Sequence, residues 1–74
     1  MINAIMRILR DNINRSNRVF KFYLDFNPDN YVQINATENH IHIMEHKNYI
    51  IVEKPYVTRV IDLNDVKFFE MEIL

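Results

Sequence analysis

The fold is decided by the stretch from Arg18 to His46, which reads RVFKFYLDFNPDNYVQINATENHIHIMEH. Apolar and polar residues alternate through three short runs, and a period of two places alternate side chains on one face of a pleated strand. Turn formers separate the runs, at Asn27 to Asn30 and at Glu38-Asn39. The pattern therefore predicts three antiparallel strands that share one apolar face.

The register of the first hairpin follows from keeping this face apolar. Pairing Phe26 with Val32 also sets Leu24 opposite Ile34, whereas a slip by one residue would turn every apolar side chain to the other face. The pairing leaves a three-residue loop that ends at Asn30. We predict the left-handed conformation there, since asparagine is the best substitute for glycine.

The second hairpin extends the same face. A two-residue turn at Glu38-Asn39 pairs Thr37 with His40 and sets Ile34 opposite Ile43. The three strands together then bury one set of seven side chains: Phe22, Leu24, Phe26, Val32, Ile34, Ile41 and Ile43. The opposite face is mostly polar and is expected to contact solvent or a partner.

The flanking segments complete the predicted elements. Residues 2–14 form an amphipathic helix, because their apolar residues recur with a period of 3.6. A turn at Lys47-Asn48 pairs His46 with Tyr49, and residues 63–65 form one tight turn. Pro55 leaves two alternatives open, one bent strand over 49–61 or two strands. The predicted strands cover residues 18–26, 31–37, 40–46, 49–54, 56–61 and 66–73.

The sequence therefore predicts one domain over residues 1–74, of the α+β class and mainly β. An N-terminal amphipathic helix is followed by a five- or six-stranded antiparallel meander. Two architectures stay open. The sheet either bends and closes as a small SH3-like barrel, which removes most edges, or remains open with the helix across one face.

The order of elements, a helix followed by five strands with a single turn before the last, resembles in outline the Sm/Hfq family of RNA-binding rings. That family carries glycines in its first two strands, and this chain contains no glycine. The family also has an Asp–Asn pair in the loop where residues 36–39 stand here, and Asn39 alone matches it. No functional residue is therefore carried over from the family.

Composition excludes several classes of site. The 74 residues include no glycine and no cysteine, which rules out glycine-rich phosphate loops, nucleophile elbows, disulfides and cysteine-based metal sites. No apolar run is long enough to cross a bilayer, no signal peptide is recognisable, and a cytoplasmic location is expected. Without a cofactor motif or a catalytic arrangement, a domain this small is expected to be non-enzymatic and to need no cofactor.

Histidines occupy one face of the third predicted strand, at His40, His42 and His46. A His-x-His pair can bind zinc, and the predicted register places Glu53 opposite His42 as a further ligand or hydrogen-bond acceptor. His46 lies about 13 Å along the strand, too far to join the same ion. We favour a solvated polar face, which leaves His40, His42 and Glu53 as weak metal candidates.

Charge is unevenly distributed, although the net charge is −1. Residues 1–24 hold five basic residues against one acidic residue, and residues 25–74 hold nine acidic against four basic. The basic group is a candidate for gripping the phosphates of RNA or DNA: Arg7, Arg10, Arg15, Arg18 and Lys21. An acidic group either protects a strand edge, which we favour, or mimics nucleic acid: Asp62, Asp65, Glu70 and Glu72.

The aromatic residues alternate with the strands, so we interpret the phenylalanines as core rather than as base-stacking platforms: Phe20, Phe22, Phe26, Phe68 and Phe69. The fourth strand is apolar on both faces, which predicts a homo-oligomer or partner interface. That interface would consist of Tyr49, Ile51, Met44 and Tyr31.

The favoured function is a small non-enzymatic interaction protein that binds and modulates a protein partner, as an accessory factor of a phage or mobile element would. Two alternatives stay open. One is a nucleic-acid-binding small β-barrel that uses the basic group, and the other is an acidic inhibitor of a nucleic-acid-binding protein.

Overall fold

A computed structural model of the chain describes residues 1–37 and 40–74, and only the backbone of Glu45. The helix α1 is Ile2–Asn12, and 3₁₀ turns lie at Glu45–Lys47 and Leu63–Asp65. The strands are β1 (Arg18–Tyr23), β2 (Tyr31–Asn35), β3 (His40–Met44), β4 (Tyr49–Glu53), β5 (Thr58–Asp62) and β6 (Phe68–Ile73). The predicted class, a mainly β α+β fold with an N-terminal helix before antiparallel strands, is confirmed.

The six strands form two antiparallel three-stranded sheets. Sheet A has the order β2-β1-β6, and sheet B has the order β3-β4-β5. The first and last strands of the chain are thus neighbours, with Arg18 opposite Ile73 and Tyr23 opposite Phe68. Leu74 is also held, because its backbone N–H donates to the carbonyl of Asn17, directly before β1, at 2.9 Å.

Both sheets and the helix face one hydrophobic core. The core consists of Ile5, Met6, Leu9, Phe20, Phe22, Ile34, Ile50, Val52, Ile61, Leu63 and Val66. The predicted apolar stripe of the helix is confirmed, since Ile2 and Ile13 pack at its two ends against this core. No helix in the described ranges has the length and apolar character needed to cross a bilayer.

The register of the β1–β2 hairpin differs from the prediction by four residues. Phe22, rather than Phe26, lies opposite Val32, and Phe20 lies opposite Ile34. An even slip keeps every apolar side chain on its face, so the period of two fits both registers equally well. The predicted register is therefore wrong, although the predicted inward face of β1 is right.

Hydrogen bonds within residues 24–30 explain why β1 ends early. The carboxylate of Asp25 accepts the backbone N–H of Asn27 at 2.8 Å and the side-chain amide of Asn30 at 2.7 Å. The N–H of Asn30 donates to the carbonyl of Asn27 at 3.1 Å, which closes the predicted turn. With these bonds formed, Leu24 and Phe26 lie outside the β1–β2 ladder, as expected where Asp and Asn side chains compete with strand pairing for backbone hydrogen bonds.

The prediction of a buried position is therefore wrong for two of the seven core residues. Leu24 is 41% exposed and Phe26 is 76% exposed. The other five do face the core, either buried or partly buried: Phe22, Val32, Ile34, Ile41 and Ile43. The left-handed conformation predicted at Asn30 is also wrong, because Asn48 alone has positive φ among the described non-glycine residues.

The strands β2 and β3 belong to different sheets. Ile34 pairs with Phe20 in sheet A, and Ile43 pairs with Ile50 in sheet B. The predicted pairing of Ile34 with Ile43 is therefore wrong, and the predicted turn at Glu38-Asn39 lies outside the described residues. Dividing the strands between two sheets still directs their apolar faces to one core, as in a sandwich of packed sheets.

The β3–β4 connection is longer than the predicted two-residue turn. It combines the 3₁₀ turn Glu45–Lys47 with a left-handed residue, Asn48, at φ 56° and ψ 31°. As a result Met44, rather than His46, lies opposite Tyr49. The slip is again even, so the inward face of the strand is unchanged.

Pro55 lies between two separate strands, so the alternative of one bent strand over residues 49–61 is excluded. β4 pairs with β5 from Tyr49 opposite Asp62 to Glu53 opposite Thr58. The predicted tight turn after β5 is confirmed, and the carboxylate of Asp62 caps it by accepting the N–H of Asn64 at 2.9 Å.

Two phenylalanine substitutions test which residues form the core. Phe20→Ala should lower the free energy of unfolding by about 3–5 kcal/mol, because a fully buried ring leaves a cavity. Phe26→Ala should change it by no more than about 0.5 kcal/mol, since its ring is mostly exposed. Urea unfolding followed by circular dichroism measures both values. Equal losses for the two variants would contradict this register.

Candidate interaction surfaces

The outer face of sheet A carries an aromatic cluster. The registers place Tyr31, Tyr23 and Phe68 side by side across β2, β1 and β6. The ring centroid of Tyr23 lies 5.2 Å from that of Tyr31 and 6.5 Å from that of Phe68. Phe26, from the loop after β1, packs edge-on against Phe68 at 5.6 Å. The cluster buries Tyr23 and leaves Phe26 and Phe68 exposed.

A cleft of about 290 Å³ opens beside this cluster, between the 24–30 loop and the start of β6. It is termed the aromatic cleft, and its lining residues are Tyr23, Phe26, Asn27, Pro28, Phe68 and Glu70. Three of the six are aromatic, and Glu70 is the one charged residue among them. The cleft thus combines ring surfaces with a single carboxylate.

A hydrogen bond holds the Glu70 carboxylate at the cleft. The hydroxyl of Tyr23 donates to its Oε2 atom at 3.2 Å. Burial raises the pKa of the Tyr23 phenol above its ordinary value, and the hydrogen bond to Glu70 and the charge of that carboxylate raise it further. The neutral, hydrogen-donating form of Tyr23 is therefore favoured at physiological pH.

The carboxylate of Glu72, two residues after Glu70 on β6, has a different environment. The Nζ atom of Lys21 lies 2.6 Å from Oε1 of Glu72 and 5.2 Å from the ring centroid of Tyr31. The hydrogen bond to Glu72 raises the pKa of Lys21. Although Lys21 is opposite Glu70 in the register, its ammonium group is held by Glu72. Glu70 therefore keeps its negative charge at the aromatic cleft.

The five residues of the predicted nucleic-acid site have different surroundings. Arg7 and Arg10 are exposed on α1. Arg15 donates to a backbone carbonyl of α1 at 3.4 Å, and Arg18 donates through Nε to a side chain at the end of α1 at 3.0 Å. Lys21 lies on the outer face of sheet A, in the ion pair already described. Nucleic-acid binding by this group stays a prediction.

The predicted acidic group is divided between two places. Asp62 and Asp65 line a cleft that also contains Arg59. Glu70 and Glu72 lie on the outer face of sheet A, where Glu72 is paired with a lysine. Mimicry of nucleic acid by these carboxylates stays a prediction.

The outer face of sheet B brings together three of the four predicted interface residues. Met44 lies opposite Tyr49, and Ile51 lies opposite Val60. Met44, Tyr49 and Ile51 are half-buried, and Val60 is 61% exposed. These four residues are termed the sheet B stripe. The fourth predicted residue, Tyr31, belongs to the aromatic cluster of sheet A instead.

The predicted metal candidates also lie on the outer face of sheet B. Glu53 is opposite His40 in the ladder, rather than opposite His42 as predicted. Its carboxylate nevertheless reaches diagonally to His42, with 3.4 Å between Oε1 and Nε2. Within residues 1–37 and 40–74, no three His, Cys, Asp or Glu side chains are grouped so as to hold a metal ion.

Sequence reasoning missed the aromatic cleft because it assigned every phenylalanine to the core. Phe26 and Phe68 are exposed instead. A signal was present at Phe68-Phe69, since neighbouring residues on a strand point to opposite faces and both rings cannot be inside. A second signal was Asn27-Pro28, which places Phe26 directly before a turn.

Comparison of the chain with models of protein families, with curated proteins and with solved structures found no match. A functional assignment therefore rests on the residues of this chain.

The hydrogen bond between Tyr23 and Glu70 can be tested by titration. A raised pKa means that the folded state binds the phenolic proton more tightly, so this stabilisation is present below the ordinary value of 10.0 and is lost as pH rises through the folded pKa. NMR of ring-labelled tyrosine should show Tyr23 ionising at higher pH than N-acetyltyrosine amide. Glu70→Gln should lower that pKa, because the carboxylate charge is removed.

The Tyr23→Phe variant assigns the signal, since it deletes the late-ionising resonance and keeps the ring. Ionisation of Tyr23 together with the reference compound would contradict the described contact.

Proposed function

We propose that this chain is a small, non-enzymatic interaction protein that binds a protein partner through the aromatic cleft. The observation that carries the proposal is the position of Phe26, which is 76% exposed and braced edge-on against Phe68. Aromatic side chains are enriched where proteins recognise one another, because they supply large contact areas with few rotatable bonds. An exposed Phe26 ring adds little hydrophobic stabilisation to the isolated fold, so we assign that ring to a contact with a partner.

The loop that carries Phe26 is preorganised. Asp25 accepts hydrogen bonds from Asn27 and Asn30, and the N–H of Asp29 donates to the side chain of Asn27 at 3.0 Å. A loop ordered before binding loses less conformational entropy when the partner docks. This rigidity supports the assignment of the cleft as a recognition site.

The charge of the cleft favours a protein over a nucleic acid as the partner. Glu70 would repel a phosphate backbone, and the nearby ammonium of Lys21 is neutralised by Glu72. Nucleic-acid binding normally depends on unpaired basic groups that replace counterions. A role in a phage or mobile element and a cytoplasmic location stay predictions.

A peptide-display selection tests the proposal. Random peptides selected on the immobilised chain should include families that bind the wild type and lose about tenfold or more in affinity on Phe26→Ala, as expected when a hot-spot ring is removed. Fluorescence anisotropy of the synthesised peptides measures the loss.

Tyr56→Ala provides the matched control, because Tyr56 is a fully exposed aromatic residue in the β4–β5 turn, outside the cleft. Selected peptides should bind this variant as they bind the wild type. Failure to enrich any peptide, or equal losses for both variants, would reject the cleft as a protein-binding site.

A second observation favours self-association. The sheet B stripe places an exposed Val60 next to the half-buried Ile51, on the outer face of a three-stranded sheet. A second copy of the chain that covers this apolar stripe would remove it from water. We propose that the stripe is the contact between copies, separate from the aromatic cleft.

Substitution at the stripe tests this contact. The wild type should sediment as a dimer or larger at micromolar concentration, and Val60→Lys should convert it to a monomer, because burying a lysine ammonium without a partner is costly. Thr58→Lys is the control, since it adds the same charge to the same face of β5, outside the stripe. A wild type that sediments as a monomer would remove this proposal.

A further inference from the structure

We infer that the aromatic cleft takes an arginine side chain of the protein partner. This inference rests on the proposed function and specifies the chemistry of the group that is recognised. It depends on three features of the cleft, which are the orientation of its rings, its charge and its size.

The rings offer faces in more than one direction. Phe26 stands at 80° to Phe68, and Tyr23 stands at 84° to the same ring. A cation is attracted to the face of an aromatic ring, where the π electrons concentrate negative charge. Rings set nearly at right angles therefore form a corner in which a flat cation can lie against the face of one ring and point its N–H groups at the face of another.

The carboxylate of Glu70 supplies the complementary charge. One of its oxygens, Oε2, accepts the hydroxyl of Tyr23, and an ionised carboxylate has acceptor sites for several donors. Tyr23 is thus a positioning residue that holds the carboxylate at the cleft wall. Asp25, Asp29 and Lys67 are close by in sequence but do not line the cleft, so Glu70 is the one charged residue among the lining residues.

The size and the chemistry of the cleft both suit arginine. About 290 Å³ is at the lower end of the volumes of small-molecule pockets, and it is enough for one long side chain. A guanidinium group is planar, stacks on aromatic rings and presents paired donors to a carboxylate. A lysine ammonium is more strongly hydrated and lacks the flat surface that a ring can cover.

The test compares N-acetylarginine amide with N-acetylcitrulline amide, a neutral probe of nearly the same shape. Both are titrated into the ¹⁵N-labelled full chain while backbone NMR shifts are followed. We expect saturable shifts at Phe26, Phe68 and Glu70, and an affinity about tenfold higher for the arginine probe, because only it gains the charge-assisted and cation–π contacts. Glu70→Gln should abolish that preference.

The control is Glu53→Gln, which removes the same charge from the outer face of sheet B and should leave the preference unchanged. A second cleft variant, Phe26→Leu, should reduce the preference through loss of the ring, and its exposed position keeps the fold intact. Equal affinity for the two probes, or shifts away from the cleft, would overturn the inference.

The outcomes separate this inference from the proposed function. Displayed peptides that bind through Phe26 but tolerate replacement of every arginine by citrulline would leave a protein-binding cleft without arginine recognition. Selective binding of the arginine probe, with no peptide enriched by display, would leave a cation-binding site that is not a protein-binding site.

Discussion

The alternation of side chains on β1, the central strand of sheet A, decides which residues lie in the core and which lie on the surface. Phe20 and Phe22 on β1 are fully buried, and their ring centroids lie 6.3 and 5.1 Å from that of Phe69. Successive side chains on a strand point to opposite faces, so burying these two rings forces Lys21 and Tyr23 outward. Because β1 is paired with a strand on each side, the same alternation holds across sheet A and places the aromatic cluster on the outer face.

The two carboxylates of β6 illustrate how neighbours decide the role of a side chain. Glu70 and Glu72 share a strand and a face. Glu72 is neutralised by the ammonium of Lys21, whereas Glu70 accepts a phenolic hydroxyl that leaves its charge intact. An exposed ion pair contributes little to stability. Its larger effect here is to withdraw the nearby lysine from Glu70, so that the cleft remains negative.

The division of the strands between two sheets has a consequence for function. A single continuous sheet would have placed Tyr31 beside Met44 and Tyr49 on one outer face. In the two-sheet arrangement Tyr31 joins the aromatic cluster, and the others form the sheet B stripe with Ile51. The protein thereby has two separate surfaces, which we assign to a partner and to a second copy of the chain.

The sequence by itself determined the helix, the strands, the inward faces of β1, β2 and β3 and the turns at Asn27 to Asn30 and at residues 63–65, because periodicity and turn chemistry are local properties. It could not determine the registers, since even slips preserve the apolar face. In the β1–β2 hairpin, side-chain hydrogen bonds of Asp25 hold the loop that accompanies the observed register. The meander predicted from the sequence paired each strand with the next along the chain, whereas β2 and β3 lie in different sheets. Only the tertiary structure placed β6 beside β1, and the juxtaposition of Phe26, Phe68 and Glu70 depends on that long-range pairing.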